Sequence, residues 1–278
     1  MNKELSKIIT VMKLTYERDI SIYDEAFIMN ALERRCIVIG AINADQYCNF
    51  LEKNKNEADH FFGSLHITFS QFFRDSITFA ALEQNVFHNI IAHKPEGSEI
   101  RIWSAGCSSG QEAYSIAMLL SEISEARGHQ IRFRIFATDI SKEALADGIA
   151  GVYDQHAVQN VKLKQLNKYF TKQGNTYTII PELRQCVNFS TYDLLDPSTA
   201  NPPESIYGDF DIVICCNVLI YYKPNLQQLI IKKLQQALST FGYLVTDESE
   251  KMLVQNCAKV QNIEIPTTVF ENKIGRGV

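Results

Sequence analysis

The sequence predicts an α/β protein: a doubly wound, mostly parallel sheet with a small antiparallel β insertion, preceded by an all-helical segment. Three observations carry this. From Ile100 onward, short β-branched runs alternate with amphipathic helical runs, the pattern of a parallel sheet with helices on both faces. The stretch Ile100 to Ile116 is itself a strand, a Gly/Ser turn and a helix in direct succession. Residues 1–66, by contrast, show apolar spacing of helical period and no strand-forming run.

In the first segment, Leu5, Ile8, Met12 and Tyr16 recur at helical spacing, followed by Tyr23, Phe27 and, less regularly, Leu32. A third helix is expected from Asn43 or Asp45, burying Tyr47, Phe50 and Leu51, with the polar run 52–57 closing it. The expected division is a helical domain at 1–66 and a larger domain at 67–278. In the larger domain, strands are expected at 100–105, 132–138, 210–216 and 242–247, and helices at 110–127, 141–149 and 225–239. Asn225 is a candidate cap for the last helix, with Leu226, Leu229, Ile230, Leu234 and Leu238 as its apolar stripe. Residues 175–190 read as two or three short antiparallel strands on the sheet edge.

Composition narrows the functional classes. A net charge of −5 argues against a nucleic-acid partner, which leaves a basic footprint. No apolar run approaches the roughly 20 residues of a membrane span, and the first residues lack the apolar core of a signal peptide. Seven cysteines with no C-x-x-C pair read as reduced thiols packed as small hydrophobes, which implies a cytoplasmic protein. The six histidines offer no H-x-x-H spacing, so no metal site is expected.

The turn after the first strand carries the first chemical signal. Gly106 and Gly110 let backbone approach a ligand, but no Gly-Lys-Ser/Thr and no full G-x-G-x-x-G follow. Glu112 sits in the first turn of the next helix, where it would repel a pyrophosphate and favour an ammonium group. That leans away from a dinucleotide and toward S-adenosylmethionine. Asp139, at the end of the second strand, is placed either to hold two ribose hydroxyls or to cap a helix with Ser141. In Phe72-Phe73-Arg74-Asp75, Arg74 is either a carboxylate clamp or an ordinary surface arginine. Asn217, at the end of the third strand, and Tyr221 beyond it face a ligand or simply pack. Asp193 either caps a turn or, with Leu194, frames an adenine.

Taken together, Phe72-Phe73-Arg74-Asp75, Trp103-Ser104-Ala105-Gly106-Cys107-Ser108-Ser109-Gly110-Gln111-Glu112, Ala137-Thr138-Asp139-Ile140 and Cys216-Asn217-Val218-Leu219-Ile220-Tyr221-Tyr222 resemble the chemotaxis receptor methyltransferases of the CheR type, over nearly the whole chain and in order. Tyr23-Asp24, Leu32 and Arg34-Arg35 also fit that family's helical domain. The resemblance implies a Rossmann-like class I methyltransferase fold and S-adenosylmethionine-dependent esterification of glutamates on the cytoplasmic helices of methyl-accepting chemoreceptors, with S-adenosylhomocysteine as product. It also implies the residue roles. Ser70 and Arg74 would contact the methionine end of the cofactor, Glu112 its amino-acid moiety and Asp139 its ribose. Asp193 and Leu194 would line the adenine, although the family often has Asn at the position of Asp193. Asn217 and Val218 would close the site, with Thr68 and Gly106 also among the cofactor contacts. Arg74 and Tyr221 would lie nearest the transferred methyl, and Arg34 and Arg35 would meet the acidic receptor helices. The short hairpin Lys172 to Thr176 implies no tight tether for a receptor-tail peptide. Two alternatives stay open: a methyltransferase for another substrate class, and a non-catalytic S-adenosylmethionine-binding signalling module.

Overall fold

The computed structural model describes residues 3–65, 70–128, 130–205, 207–263 and 267–273. The chain forms two compact units, Met1–Ile67 with Leu219–Gln227, and Thr68–Val218 with Gln228–Val278.

The first unit holds α1 (Lys3–Tyr16), α2 (Glu25–Ile39), α3 (Ala44–Leu51) and α4 (Lys55–Gly63). Short polar side chains start three of them. The Asp24 carboxylate accepts from the amides of Ala26 and Phe27, Asn43 accepts from Gln46 N, and Asn54 accepts from Glu57 N. Leu5, Ile8, Met12, Leu32, Tyr47, Leu51 and Phe61 supply the core. Phe50, expected inside, is 43% exposed, because α3 turns Tyr47 and Leu51 inward instead. The polar run 52–57 does not merely close α3: Asn54 within it is the cap that launches α4. The segment 219–227 adds aromatic surface to this unit. Tyr222 stacks on Tyr23 with centroids 5.6 Å apart, and Asp24 N donates to Tyr221 O at 2.8 Å.

Arg35, expected on the surface beside Arg34, is engaged inside this unit. Its guanidinium grips Glu57 in two-pronged fashion, Nε to Oε1 at 2.8 Å and Nη2 to Oε2 at 2.6 Å, while Tyr47 Oη donates to Oε1 at 2.8 Å. Nε and Nη2 of its fork are therefore taken up within the unit. Burial pushes the Glu57 carboxyl up, but the Arg35 and Tyr47 hydrogen bonds outweigh this and hold it below the ordinary glutamate value.

In the second unit, a seven-stranded sheet runs in the order β6-β2-β1-β7-β8-β10-β9. The strands are β1 (Ile100–Ala105), β2 (Phe133–Asp139), β6 (Val187–Thr191), β7 (Phe210–Ile214), β8 (Leu238–Val245), β9 (Val260–Asn262) and β10 (Val269–Asn272). The first five are parallel where they pair, and β9 and β10 close one edge antiparallel. A separate antiparallel sheet, β3-β5-β4, comprises β3 (Val152–Asp154), β4 (Phe170–Gln173) and β5 (Thr176–Ile179). Helices α5 (Ser76–Ala81), α6 (Phe87–His93), α7 (Gln111–Arg127), α8 (Lys142–Ala150), α9 (Leu163–Tyr169), α10 (Pro181–Arg184), α11 (Pro224–Ala237) and α12 (Lys251–Cys257) accompany them, with a π-helical segment at Leu82–Val86 and a 3-10 turn at Leu219–Tyr221, α11 beginning in the first unit.

The α/β, doubly wound architecture agrees with the sequence, with corrections to individual elements. The small sheet draws its strands from 152–179 rather than about 175–190. Val187–Thr191 instead joins the main sheet as an edge strand parallel to β2, its Phe189 filling the space above Gly110 and Gly148. In α11, Asn225 lies within the first turn rather than at the cap. Leu229 there is 59% exposed while Ile230, Ile231 and Leu234 are buried, and Leu238 already belongs to β8. β7 ends at Ile214, although Cys215 N still donates to Val245 O at 2.9 Å. The order 2-1-7 places the topological switch between β1 and β7, so the ligand crevice belongs at their carboxyl ends.

Removing one partner of a buried ion pair costs about 3–5 kcal/mol. Arg35→Ala should destabilise the protein by an amount of that order in urea unfolding. Because Glu57 titrates lower folded than unfolded, its contribution is complete above the ordinary glutamate pKa and is lost as pH falls through the depressed folded value. The difference between wild type and Arg35→Ala should therefore shrink on acidification.

Candidate active site

The loop after β1 is held by the end of β2. Thr138 O accepts from both Gly106 N and Cys107 N, at 2.8 and 2.9 Å, and Asp139 Oδ2 accepts from Ser108 N at 2.8 Å. Gly110 N donates back to Cys107 O. The amides that a phosphate cradle would need are thus directed at the protein itself. The sequence reading of this turn as open backbone for a ligand is corrected: what the loop offers is its shape and the side chains around it. Gly106 is at φ +77°, and a Cβ there would lie 2.4 Å from Val218 Cγ2.

Acidic groups converge at the carboxyl edge. Glu112, in the first turn of α7, accepts from Ser104 Oγ at 2.6 Å. Burial pushes its carboxyl up to about 7, hydrogen bonds from Ser104 and Cys216 pull it down, Glu250 raises it and Arg74 lowers it. Asp139 uses Oδ2 on Ser108 N and Oδ1 on Ser141 N, so it serves as a turn cap. A carboxylate with two oxygens retains acceptor capacity beyond these two bonds. Ser141 caps α8 as expected, accepting from Ala144 N. Beyond β7, Asn217 stands at φ +59° with its side chain bonded to Asp247. Beyond β8, Asp247 is pushed up by burial but held below the ordinary aspartate value by Ser249, Asn217 and the charge of Arg74.

Arg74 is aimed by its neighbours. Phe72 is fully buried against Tyr153 and Phe170, with ring centroids 4.9 and 5.5 Å away. Phe73 adopts φ +50°, its amide donates to Ser115 Oγ of α7 at 3.1 Å, and its ring meets Phe79 edge-on. Asp75 caps α5 through Ile77 N, Thr78 N and Thr78 Oγ1. Anchored on both sides, the exposed Arg74 acts electrostatically on Glu112 and Asp247.

The unit thus brings together Arg74, Gly106, Glu112, Asp139, Asn217 and Val218. Tyr192 N donates to Asp139 O at 3.1 Å, which carries Asp193 and Leu194 to the same edge. There Asp193 is exposed and caps a turn by accepting from Leu195 N, and Leu194 is buried. Ser70 is half-buried just ahead of Phe72, and Thr68 lies outside the described residues. Tyr221 belongs to the helical unit, its ring packed on Phe27 at 4.7 Å, and Arg34 is exposed on α2 of that unit. Ser104, Cys216, Asp247 and Glu250 carry parts of the site that residue spacing did not single out. The signal for the last two was available, since a strand expected at 242–247 ends on Asp247 and puts Glu250 just beyond it, at the carboxyl edge. Among the described residues, no group of three or more His, Cys, Asp or Glu is arranged to hold a metal, and no helix is long and apolar enough to cross a membrane.

A doubly wound sheet with an acid at the start of the first crossover helix and another at the end of β2 defines a binder of nucleoside cofactors, here of the S-adenosylmethionine-dependent methyltransferase class. More particularly, residues 68–269 match the family described as CheR methyltransferase, SAM binding domain, and the chain belongs to that family. A chemotaxis protein methyltransferase of Borreliella burgdorferi is 30% identical over 255 residues, covering 89% of this chain and 87% of that protein. The Escherichia coli chemotaxis protein methyltransferase is 30% identical over 250 residues, covering 86% and 82%. An uncharacterised 104.1 kDa protein of Rhodobacter capsulatus is 31% identical over 249 residues, which span 90% of this chain but only 25% of that longer protein. The site residues fit the cofactor: a buried carboxyl held near 7 gains from a cationic ligand, and the amides of Gly106, Cys107 and Ser108 are taken up by β2 rather than left for a pyrophosphate.

Gly106→Ala combines a left-handed backbone with a side-chain collision at Val218. Overpacking of that kind costs roughly 1–3 kcal/mol, and thermal unfolding without any ligand should register a loss of that size.

Proposed function

We propose that this chain transfers the methyl group of S-adenosylmethionine to glutamate side chains on the cytoplasmic helices of methyl-accepting chemoreceptors, forming methyl esters. The observation that carries the reading is the pairing of a buried cation-seeking carboxyl, Glu112, with an anchored arginine, Arg74, at one sheet edge. The names of the Borreliella and Escherichia relatives support the chemotaxis setting.

When bound, S-adenosylmethionine supplies a methyl on a positively charged sulfur, and transfer to a carboxylate oxygen breaks the carbon–sulfur bond and leaves neutral S-adenosylhomocysteine. A glutamate acceptor, with a reference pKa of about 4.3, is already ionised at neutral pH, so no residue of the chain has to remove a proton. What the side chains contribute is alignment, for which proximity is worth roughly 7–11 kcal/mol. Glu112 binds the ammonium group, Asp139 accepts from the ribose hydroxyls, and Asp193 with Leu194 borders the adenine. Ser70, Gly106, Asn217 and Val218 complete the cofactor wall. Arg74 orients a carboxylate. Roles for Thr68, Tyr221 and the exposed Arg34 rest on the family resemblance alone. The β4–β5 hairpin turns on only Gly174-Asn175, which supports the reading without a tight receptor-tail tether.

The test is incubation with methyl-labelled S-adenosylmethionine and receptor-bearing membranes. Label on receptor that is released by mild base is the expected result. Base-stable label, or cofactor binding without transfer, overturns the ester reading. In the same assay Arg74→Ala should lower kcat/KM by about tenfold or more, as the loss of a hydrogen bond to a charged group implies.

Binding of S-adenosylhomocysteine, which keeps the ammonium group, should depend on pH through Glu112. The ionised carboxylate is the binding form, so affinity rises as pH increases through about 7 and levels off above it. Calorimetry across this range should show the rise in wild type, and in Glu112→Gln a weaker, flat profile.

A further inference from the structure

Glu250 has no solvent exposure, and it stands immediately before α12 without capping that helix through its side chain. Its carboxylate reaches instead to the turn after β7. Oε2 accepts from Asn217 N at 2.9 Å and Oε1 from Val218 N at 2.8 Å, while Thr246 Oγ1 donates to Oε2 at 2.9 Å. A buried carboxylate persists only where donors satisfy it, and here two successive amides do so, one on each oxygen. Successive N–H groups with one residue in the left-handed region form a concavity that binds anions. Asn217 is that residue, at φ +59°. In this chain the concavity is already filled by a side chain of the protein.

The turn held in this way touches the rest of the site at two places. Val218 presses on Gly106, where a Cβ would lie 2.4 Å from its Cγ2. The Asn217 side chain bonds to Asp247, which also feels the charge of Arg74.

We propose that Glu250 is a positioning residue of the methyl-transfer site, its carboxylate fixing the Asn217–Val218 turn against the Gly106 loop. The proposal rests on the methyltransferase reading above for its consequence, but not for its geometry. It does not touch the reacting atoms; it acts through Asn217 and Val218. It also acts on Glu112, which is faced by Ser104 of β1, Cys107 of the following loop, Cys215 and Cys216 beyond β7, Glu250 beyond β8, and Arg74. Among these, Glu250 and Arg74 are the charged groups that act on the Glu112 carboxyl, in opposite senses.

The test uses Glu250→Gln and, as a gentler change that keeps the carboxylate, Thr246→Val. Amide hydrogen exchange of the ligand-free protein is read at 217 and 218, and S-adenosylhomocysteine affinity is read against pH. In Glu250→Gln, exchange at these two amides should accelerate by roughly tenfold or more, as expected when hydrogen bonds to a charged acceptor are weakened. Affinity should fall, and the pH midpoint should move below that of wild type, because the neutral amide no longer opposes ionisation of Glu112. A merely structural residue would leave that midpoint in place. Thr246→Val should show the faster exchange in smaller degree with the midpoint retained. Wild-type exchange at 217 and 218 in folded Glu250→Gln overturns the proposal. Should Glu250→Gln fail to fold, unchanged exchange in Thr246→Val overturns it equally. Failure of wild type to bind S-adenosylhomocysteine overturns the cofactor reading instead, and the exchange result still decides the role of Glu250.

Discussion

The carboxyl end of β2 governs the cofactor loop. Within two residues, Thr138 and Asp139 accept from three consecutive amides of the turn after β1, and the Thr138 hydroxyl accepts from the buried Trp103 indole at 2.9 Å. Parallel register pairs Ala105 with Thr138, so the two strands end level and the turn has no choice but to fold over its neighbour. Leaving such amides buried without acceptors would cost about 1–3 kcal/mol each. The loop is therefore held by hydrogen bonds to β2 in the ligand-free protein. Its amides are committed to the protein, and recognition passes to the side chains around it.

Those side chains are unusually acidic for a ligand crevice. Glu112, Asp139, Asp247 and Glu250 all sit at the ends of strands or at the starts of the helices that follow. Burial is the main cause that lifts Glu112 to about 7, and the like charge of Glu250 adds to it. Arg74 is the counterweight, and its placement depends on two phenylalanines and an aspartate that do nothing chemical themselves. A site built in this way favours a cation, and a cofactor with both an ammonium and a sulfonium group meets that demand.

The helical unit and the sheet unit differ in how their charges are used. In the helical unit, Arg35 and Glu57 satisfy each other around Tyr47 and maintain packing. In the sheet unit, Lys94 and Asp211 form a comparable pair at 2.6 Å, but at the carboxyl edge Glu112 and Asp247 feel the charge of Arg74. The adjacent arginines on α2 illustrate the distinction: Arg35 turns inward to Glu57, while Arg34 remains exposed. One step along a helix rotates a side chain by about 100°, enough to separate a structural role from a surface one.

Much of this was legible in order along the chain. The strand–turn–helix at 100–116, the acid ending β2, the Ser141 cap and the Phe-Phe-Arg-Asp run are local patterns, and local geometry follows from neighbouring residues. The helical start, the α/β alternation and the family likeness come from the sequence on the same grounds. What residue order alone left open was decided by pairings between distant segments. Val187–Thr191 became an edge of the main sheet because β2 offered it a parallel partner. Segment 219–227 joined the helical unit through Tyr23 and Asp24. Arg35 was claimed by Glu57 and the turn at 217–218 by Glu250. Each of these depends on a partner between 22 and 199 residues away, as for Arg35 with Glu57 and Tyr23 with Tyr222. Hydrogen-bond satisfaction and burial act through space, and spacing along the chain does not record them.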